Sequence, residues 1–188
     1  MIRSFQCKKT ERLFRRERVR EFAGIASVAL RRLVALDGAQ ALSDLLIPPS
    51  NRLESLSGDR KGLHSIRIDD QYRICFTWRT AMPKMSKSRN TTDKLRPVHP
   101  GEILKETLDD LEISMNRLSK EIRVPANRIS SIIAGQRAIT GETALRLARY
   151  FETTPEYWLN MQARYDLETA RDVWEGRVKC EVRPRHAA

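Results

Sequence analysis

Cysteine is scarce and badly placed for a structural role. The 188 residues hold three, Cys7, Cys75 and Cys180, far apart and odd in number. That excludes a disulfide framework, and no His or Cys spacing fits a metal site, so no metal or cofactor is expected and a reducing cytoplasm fits best. Long apolar runs are missing as well, which excludes a membrane-spanning helix. The opening stretch MIRSFQC is too short and too polar for a secretory leader. Acidic charge is also in short supply: 24 Asp+Glu stand against 35 Lys+Arg, a formal charge of +11. Such an excess favours a polyanionic partner.

The excess is uneven. Residues 1–79 carry 16 Lys+Arg against 9 Asp+Glu, and residues 80–96 carry 5 against 1. Residues 97–188 balance at 14 each, yet between Arg123 and Arg149 five arginines face one acid, Glu142. That local basic patch surrounds SMNRLSKEIRVPANRISSIIAG, residues 114–135, which has the layout of a helix-turn-helix. Ser114 is placed to cap a first helix with Leu118 and Ile122 on its inner stripe. Arg123-Val124 makes the turn, Pro125 suits the first turn of a second helix, and Gly135 suits its stop. Ile129, Ile132 and Ile133 recur at helical spacing and point inward. Asn127, Arg128, Ser130 and Ser131 are left outside, groups suited to base edges and phosphates in a major groove. A plain helical hairpin with a wet polar face satisfies the same spacing.

From the N-terminus, Ile2 to Cys7 alternates as a short strand. Thr10–Arg20 reads as a basic helix, and Ile25–Leu36 as a second, with Val28, Leu33 and Leu36 inward and Arg31-Arg32 outward. Ala39–Leu46 offers another helical turn, Pro48-Pro49 ends it, and Asn51–Gly62 reads as loop. His64–Asp69 and Tyr72–Trp78 form a hairpin. Ile66, Ile68, Tyr72, Ile74, Phe76 and Trp78 belong to its core face; Arg67, Arg73, Cys75 and Thr77 to the other. Two guanidiniums there make either an anion site or a solvated sheet face. Residues 80–94 read as a basic linker. Pro100 opens a helix with Ile103, Leu104 and Leu108 inward and acids outward. Thr140 caps Gly141–Phe151, and Thr154-Pro155-Glu156 starts a last helix to about Val173. Residues 176–188 read as a disordered basic tail. The expected architecture is thus an α+β N-terminal unit with a short antiparallel sheet, followed by an all-α helix-turn-helix domain over residues 95–175.

The strings LRPVHPGEIL, NRLSKEIRVPANRISSIIAGQRAIT and TALRLARYFETTPEYWLNMQARYDL resemble the HigA antitoxins of bacterial toxin–antitoxin modules, within the Cro/phage-repressor-like helix-turn-helix group. The resemblance covers Leu95 to Leu167. It implies five helices, a homodimer formed through this domain, and binding to palindromic operator DNA. It implies that Ala126 to Ala134 is the second helix of the motif, with Asn127, Arg128, Ser130 and Ser131 facing DNA, Arg137 just beyond, and Ser114, Asn116 and Arg117 at or near backbone phosphates. MIRSF, NRLESLSGDRKGLHSIRI and DDQYRICFTW resemble the HigB toxins of the RelE-like ribonuclease superfamily. That resemblance implies cleavage of mRNA on the ribosome without metal, with Arg60, Lys61, His64, Arg67 and Arg73 at the matching basic positions. Arg67 and Arg73 are the first choices for phosphate contact. Two departures stand out. Glu54 and Ser57 occupy positions where some relatives carry His and Lys. The chain also passes from Trp78-Arg79 into linker where HigB-like chains continue into another strand. Residues 1–79 are therefore expected to be a truncated toxin domain.

Overall fold

The computed structural model describes residues 2–78 and 94–184. The order is α1 (Lys8–Phe14), α2 (Ala26–Gly38), β1 (Glu54–Ser55), β2 (His64–Arg67), β3 (Arg73–Phe76), α3 (Pro100–Asp110), α4 (Met115–Glu121), α5 (Ala126–Ile133), α6 (Gly141–Phe151) and α7 (Pro155–Glu181). Short 3-10 turns at Arg20–Phe22, Leu42–Leu46, Pro49–Asn51 and Gly58–Arg60 fill the first part. The three strands form one antiparallel sheet in the order β1-β2-β3. Asp69 closes the β2–β3 hairpin by accepting from the N–H groups of Gln71 and Tyr72, at 2.9 and 2.7 Å. A side chain that mimics a backbone turn in this way is what an Asp at that position supplies.

Several sequence expectations are corrected by packing. Residues 2–7 form no strand: Ile2 and Phe5, three apart, both pack inward, and the Ile2 N–H donates to Asp37 at 2.7 Å. The basic helix stops at Phe14 because Arg16 takes a positive φ of 67° and turns into the interior against Asp172 and Glu168 of α7. Arg32 is not outward but 2% exposed. Its guanidinium reaches Glu106 of α3 at 2.6 Å, so an acid expected outside is turned inward too. Glu54–Ser55, read as loop, pairs with β2. Pro125 is the N-cap of α5 rather than its first residue. The last helix continues to Glu181, past Val173, supported by Arg177–Glu181 and Lys179–Glu175 pairs; residues 176–181 of the expected tail are therefore helical. Residues 79–93, which hold nearly all of the expected linker, lie outside the described residues.

One hydrophobic core runs through both parts of the chain. Leu30, Val34, Leu45 and Ile66 from the first part and Ile103, Leu104, Tyr157, Trp158 and Met161 from the second are all 2% exposed or less and belong to the same cluster. α2 lies along α7. The two helices approach tightly at Gly38, where a Cβ would stand 2.9 Å from the Met161 Cγ and 3.2 Å from the Tyr157 carbonyl oxygen. Polar contacts cross the same seam. Asn160 donates to the Gly38 carbonyl at 3.0 Å, and Arg164 pairs with Asp37 at 3.0 Å. Asp44, fully buried, accepts from the Thr154 N–H and hydroxyl at 2.6 and 2.7 Å.

Candidate nucleic-acid interface

The helix-turn-helix is built as the spacing predicts. Ser114 accepts from the Arg117 N–H at 3.2 Å and so caps α4, while Leu118 and Ile122 are buried beneath it. Arg123, with φ 55°, turns the chain and Val124 plugs the corner. Ile129 and Ile132 are fully buried and seat α5 on α3. That seat depends on Gly101, where an added Cβ would lie 2.0 Å from the Ile132 carbonyl oxygen. Only a residue without a Cβ lets the two helices approach this far.

With its apolar side fixed, α5 presents Ala126, Asn127 and Ser130 to solvent, and Arg137 follows just beyond its end; Ser131 is half-buried. Among the described residues, the Asn127 amide and the Arg137 guanidinium have no hydrogen-bond or ion-pair partner. Ser130 donates back to the Asn127 carbonyl at 3.1 Å, leaving its oxygen able to accept. Asn116 is exposed at the start of α4, beside Arg117, which donates to Glu121 at 2.9 Å. Arg128 behaves differently. Its side chain is 19% exposed and donates to Glu142 of α6 at 3.1 Å. Glu142 also accepts from Arg146, which in turn donates to the Ile122 carbonyl. Arg128 holds the Glu142 carboxyl below the usual carboxylate range, with Arg146 adding to the effect. The chain Arg128–Glu142–Arg146 therefore ties α5 to α6 and to the end of α4. Neither Glu142 as a clamp nor Arg146 was picked out as part of the site from spacing, because their roles depend on where α6 crosses α5.

The second set of candidates lies on the sheet. Arg67 and Arg73 are directly opposed in the β2–β3 register and share a face. Both are already engaged. Arg73 donates to the Ser65 hydroxyl at 2.9 Å and to the Arg52 carbonyl at 2.7 Å, and pairs with Glu54 at 3.0 Å. Arg67 donates to the Asp69 carbonyl and pairs with Asp70. His64 falls on the other face by alternation, against the Phe76 ring, with its Nδ1 3.1 Å from the Ser55 hydroxyl. Arg60 and Lys61 are exposed in the turn before β2. The sheet thus brings Arg67 and Arg73 together but does not converge them with His64. Among the described residues no group of His, Cys, Asp and Glu is arranged to hold a metal ion, and no helix is long and apolar enough to cross a membrane.

A five-helix body with a capped α4, a tight turn and a polar-faced α5 defines a helix-turn-helix protein, and residues 104–158 match the helix-turn-helix family. Residues 3–87 match the family described as RelE-like toxin of type II toxin–antitoxin system HigB. Toxin HigB-1 of Vibrio cholerae is 52% identical over 56 residues, 30% of this chain and 59% of that toxin. Antitoxin HigA-1 of the same organism is 37% identical over 87 residues, 46% of this chain and 82% of that antitoxin. A solved addiction module antidote protein of the HigA family from Coxiella burnetii is 48% identical, with 48% of this chain covering all of it at a TM-score of 0.47. The chain belongs to the HigB/HigA toxin–antitoxin family, with a HigB-like part followed by a HigA-like part in one polypeptide.

Proposed function

We propose that this chain is an antitoxin-type autorepressor that binds operator DNA of its own toxin–antitoxin module, fused to a HigB-like remnant. The observation that carries this reading is the division of α5: two fully buried isoleucines fix it, while Asn127, Ser130 and the nearby Arg137 stay open. A rigid helix with short polar groups and an unpaired guanidinium suits major-groove recognition. Asn127 and Arg137 are assigned to base edges. Ser114, Asn116 and Arg117 are assigned to phosphates, and Ala126, Ser130 and Ser131 to the groove-facing surface. Arg128 belongs to the same surface through its clamp on Glu142. Reading a palindrome requires two copies, so the HigA-like domain, residues 95–175, is assigned a homodimer in the cytoplasm.

Gel-shift with the upstream promoter DNA tests the reading. Asn127→Ala and Arg137→Ala should each weaken specific binding by about 1–3 kcal/mol if they read bases. Unchanged specific binding in the double variant would remove α5 from the assignment. Sedimentation at increasing concentration tests the dimer. The HigB-like part supports a second reading, an mRNA-cleaving activity on the ribosome, through the opposed Arg67 and Arg73. Arg60 and His64 would be its further basic groups. Ribosome-dependent cleavage by the full chain, lost on Arg73→Ala, is its test.

A further inference from the structure

A cavity of about 640 Å³ opens between the hairpin and α3; all its arginines come from the HigB-like part, and its acids come from both parts. Arg32, Arg52 and Arg67 line it from the HigB-like part; Glu106 and Asp110 line it from α3. Arg32 is the built element. It is 2% exposed, and its Nε donates to the Arg67 carbonyl at 3.1 Å while Nη2 donates to the Ser50 hydroxyl at 3.0 Å. Neutral oxygens of its own part thus orient it without neutralising it. The charge is met across the seam by Glu106, at 2.6 Å from Nη2. One turn further along α3, Asp110 accepts from the Ser50 backbone N–H at 2.9 Å. Carboxylates at this helical spacing stand side by side, so one helix face presents two anions to two fixed donors. A planar guanidinium and a backbone N–H are the donor pair that also receives a phosphate. Arg52 adds a guanidinium with no partner among the described residues. Asp69 and Asp70 of the HigB-like part also line the cavity, with Asp70 on Arg67.

We propose that Glu106 and Asp110 are a built-in phosphate mimic: they fill, within one chain, an anion site of the HigB-like part that otherwise takes a phosphate group of single-stranded RNA. The site is independent of the reading of α5. Its core donors, Arg32 and Ser50, are distinct from Arg73 and His64, but Arg67, a first choice for phosphate contact in the family resemblance, also lines the cavity, so the site rests on the RNA-binding reading of the HigB-like part. Glu106 also accepts from Arg31 at 3.4 Å, which strengthens the plug from outside the cavity.

The test uses the full chain carrying Glu106→Gln and Asp110→Asn together. The probes are inorganic phosphate and a fluorescein-labelled eight-nucleotide oligouridylate read by anisotropy. The double variant should bind the RNA at least about tenfold tighter than the parent, since two charge-assisted contacts become available. Adding Arg52→Ala should cut that gain about threefold or more. Millimolar inorganic phosphate should compete away the gained RNA binding; a gain indifferent to phosphate would overturn the phosphate assignment. The control Asp109→Asn with Glu112→Gln makes the same charge change at the end of α3 and in the turn after it, outside the cavity, and should show no gain. Absence of a gain in the folded double variant, an equal gain in the control, or a gain indifferent to Arg52→Ala would each overturn the proposal. Should the double variant fail to fold, Asp110→Asn alone decides it: a gain of about threefold supports the site, and none overturns it.

Discussion

Replacing Asp44 with alanine removes a fully buried carboxylate that accepts four hydrogen bonds. Two come from the N–H groups of Gln40 and Ala41, ahead of its own 3-10 turn, at 2.8 and 3.0 Å. Two come from Thr154, the N-cap of α7, at 2.6 and 2.7 Å. One side chain therefore caps an element in the HigB-like part and fixes the start of a helix in the HigA-like part. Hydrogen bonds to a charged group are worth about 1.5–3 kcal/mol each, and the orphaned donors add a desolvation penalty. Water entering the gap offsets part of this, which leaves about 4 kcal/mol as the expected loss. At a urea slope of about 2.5 kcal/mol/M the midpoint should fall by about 1.5 M. Asp44→Asn keeps the shape but turns one acceptor into a donor facing an N–H, so it should fall between parent and alanine variant. Urea unfolding followed by circular dichroism and by tryptophan fluorescence measures both. Trp158 is fully buried in the shared core, so its signal should report a change made in the other part of the chain. Parent unfolding in two separate transitions, or an alanine variant within 1 kcal/mol of the parent, would refute the single shared core.

Gly101→Ala should destabilise the chain by about 3 kcal/mol or more and weaken operator binding, because α3 and α5 must part to clear the Ile132 carbonyl; thermal melting and gel-shift check it. His99 caps α3 by accepting from the Gly101 N–H at 3.0 Å, and burial lowers its pKa against the opposing pull of Glu102 and Asp166. A lowered folded-state value means that the unfolded chain takes up the proton first. The contribution is then present above histidine's ordinary value of about 6.5 and is lost as pH falls below it. Melting at pH 7.5 and 5.5 should show a larger drop for the parent than for His99→Asn, which keeps a cap without titrating; equal drops would dismiss the role. Glu142→Gln removes an anion beside the proposed groove surface and loosens Arg128, so operator affinity should rise about two- to fivefold, more at low salt. A fall in affinity in the gel-shift would mean that the clamped geometry of Arg128 is itself required.

The helix-turn-helix was legible because its determinants are local. Ser114, the isoleucine spacing and the residues at the turn act within a few positions of one another, and α6 and the N-terminus of α7 follow the same rule. The hairpin was legible for the same reason, with Asp69 closing it and Ile66 opposite Ile74 on the core side. Arg16 and Arg32 were not. Nothing in a run of basic residues says which guanidinium is solvated and which is drawn inward by an acid more than seventy positions away. The length of α7 was also hidden, since its second half leans on i,i+4 ion pairs rather than on an apolar stripe.

By itself the sequence determined the local elements, the polar face of α5, the uneven charge and the family resemblance of each part. Each of these depends on neighbours along the chain. Only the tertiary structure decided that the two parts share one core, with Asp44 on Thr154 and Glu106 on Arg32. Those pairings arise from how α2 lies against α7 and α3. Burial energy and the demand that every buried charge find a counter-charge act on distance in space, to which separation in sequence gives no guide.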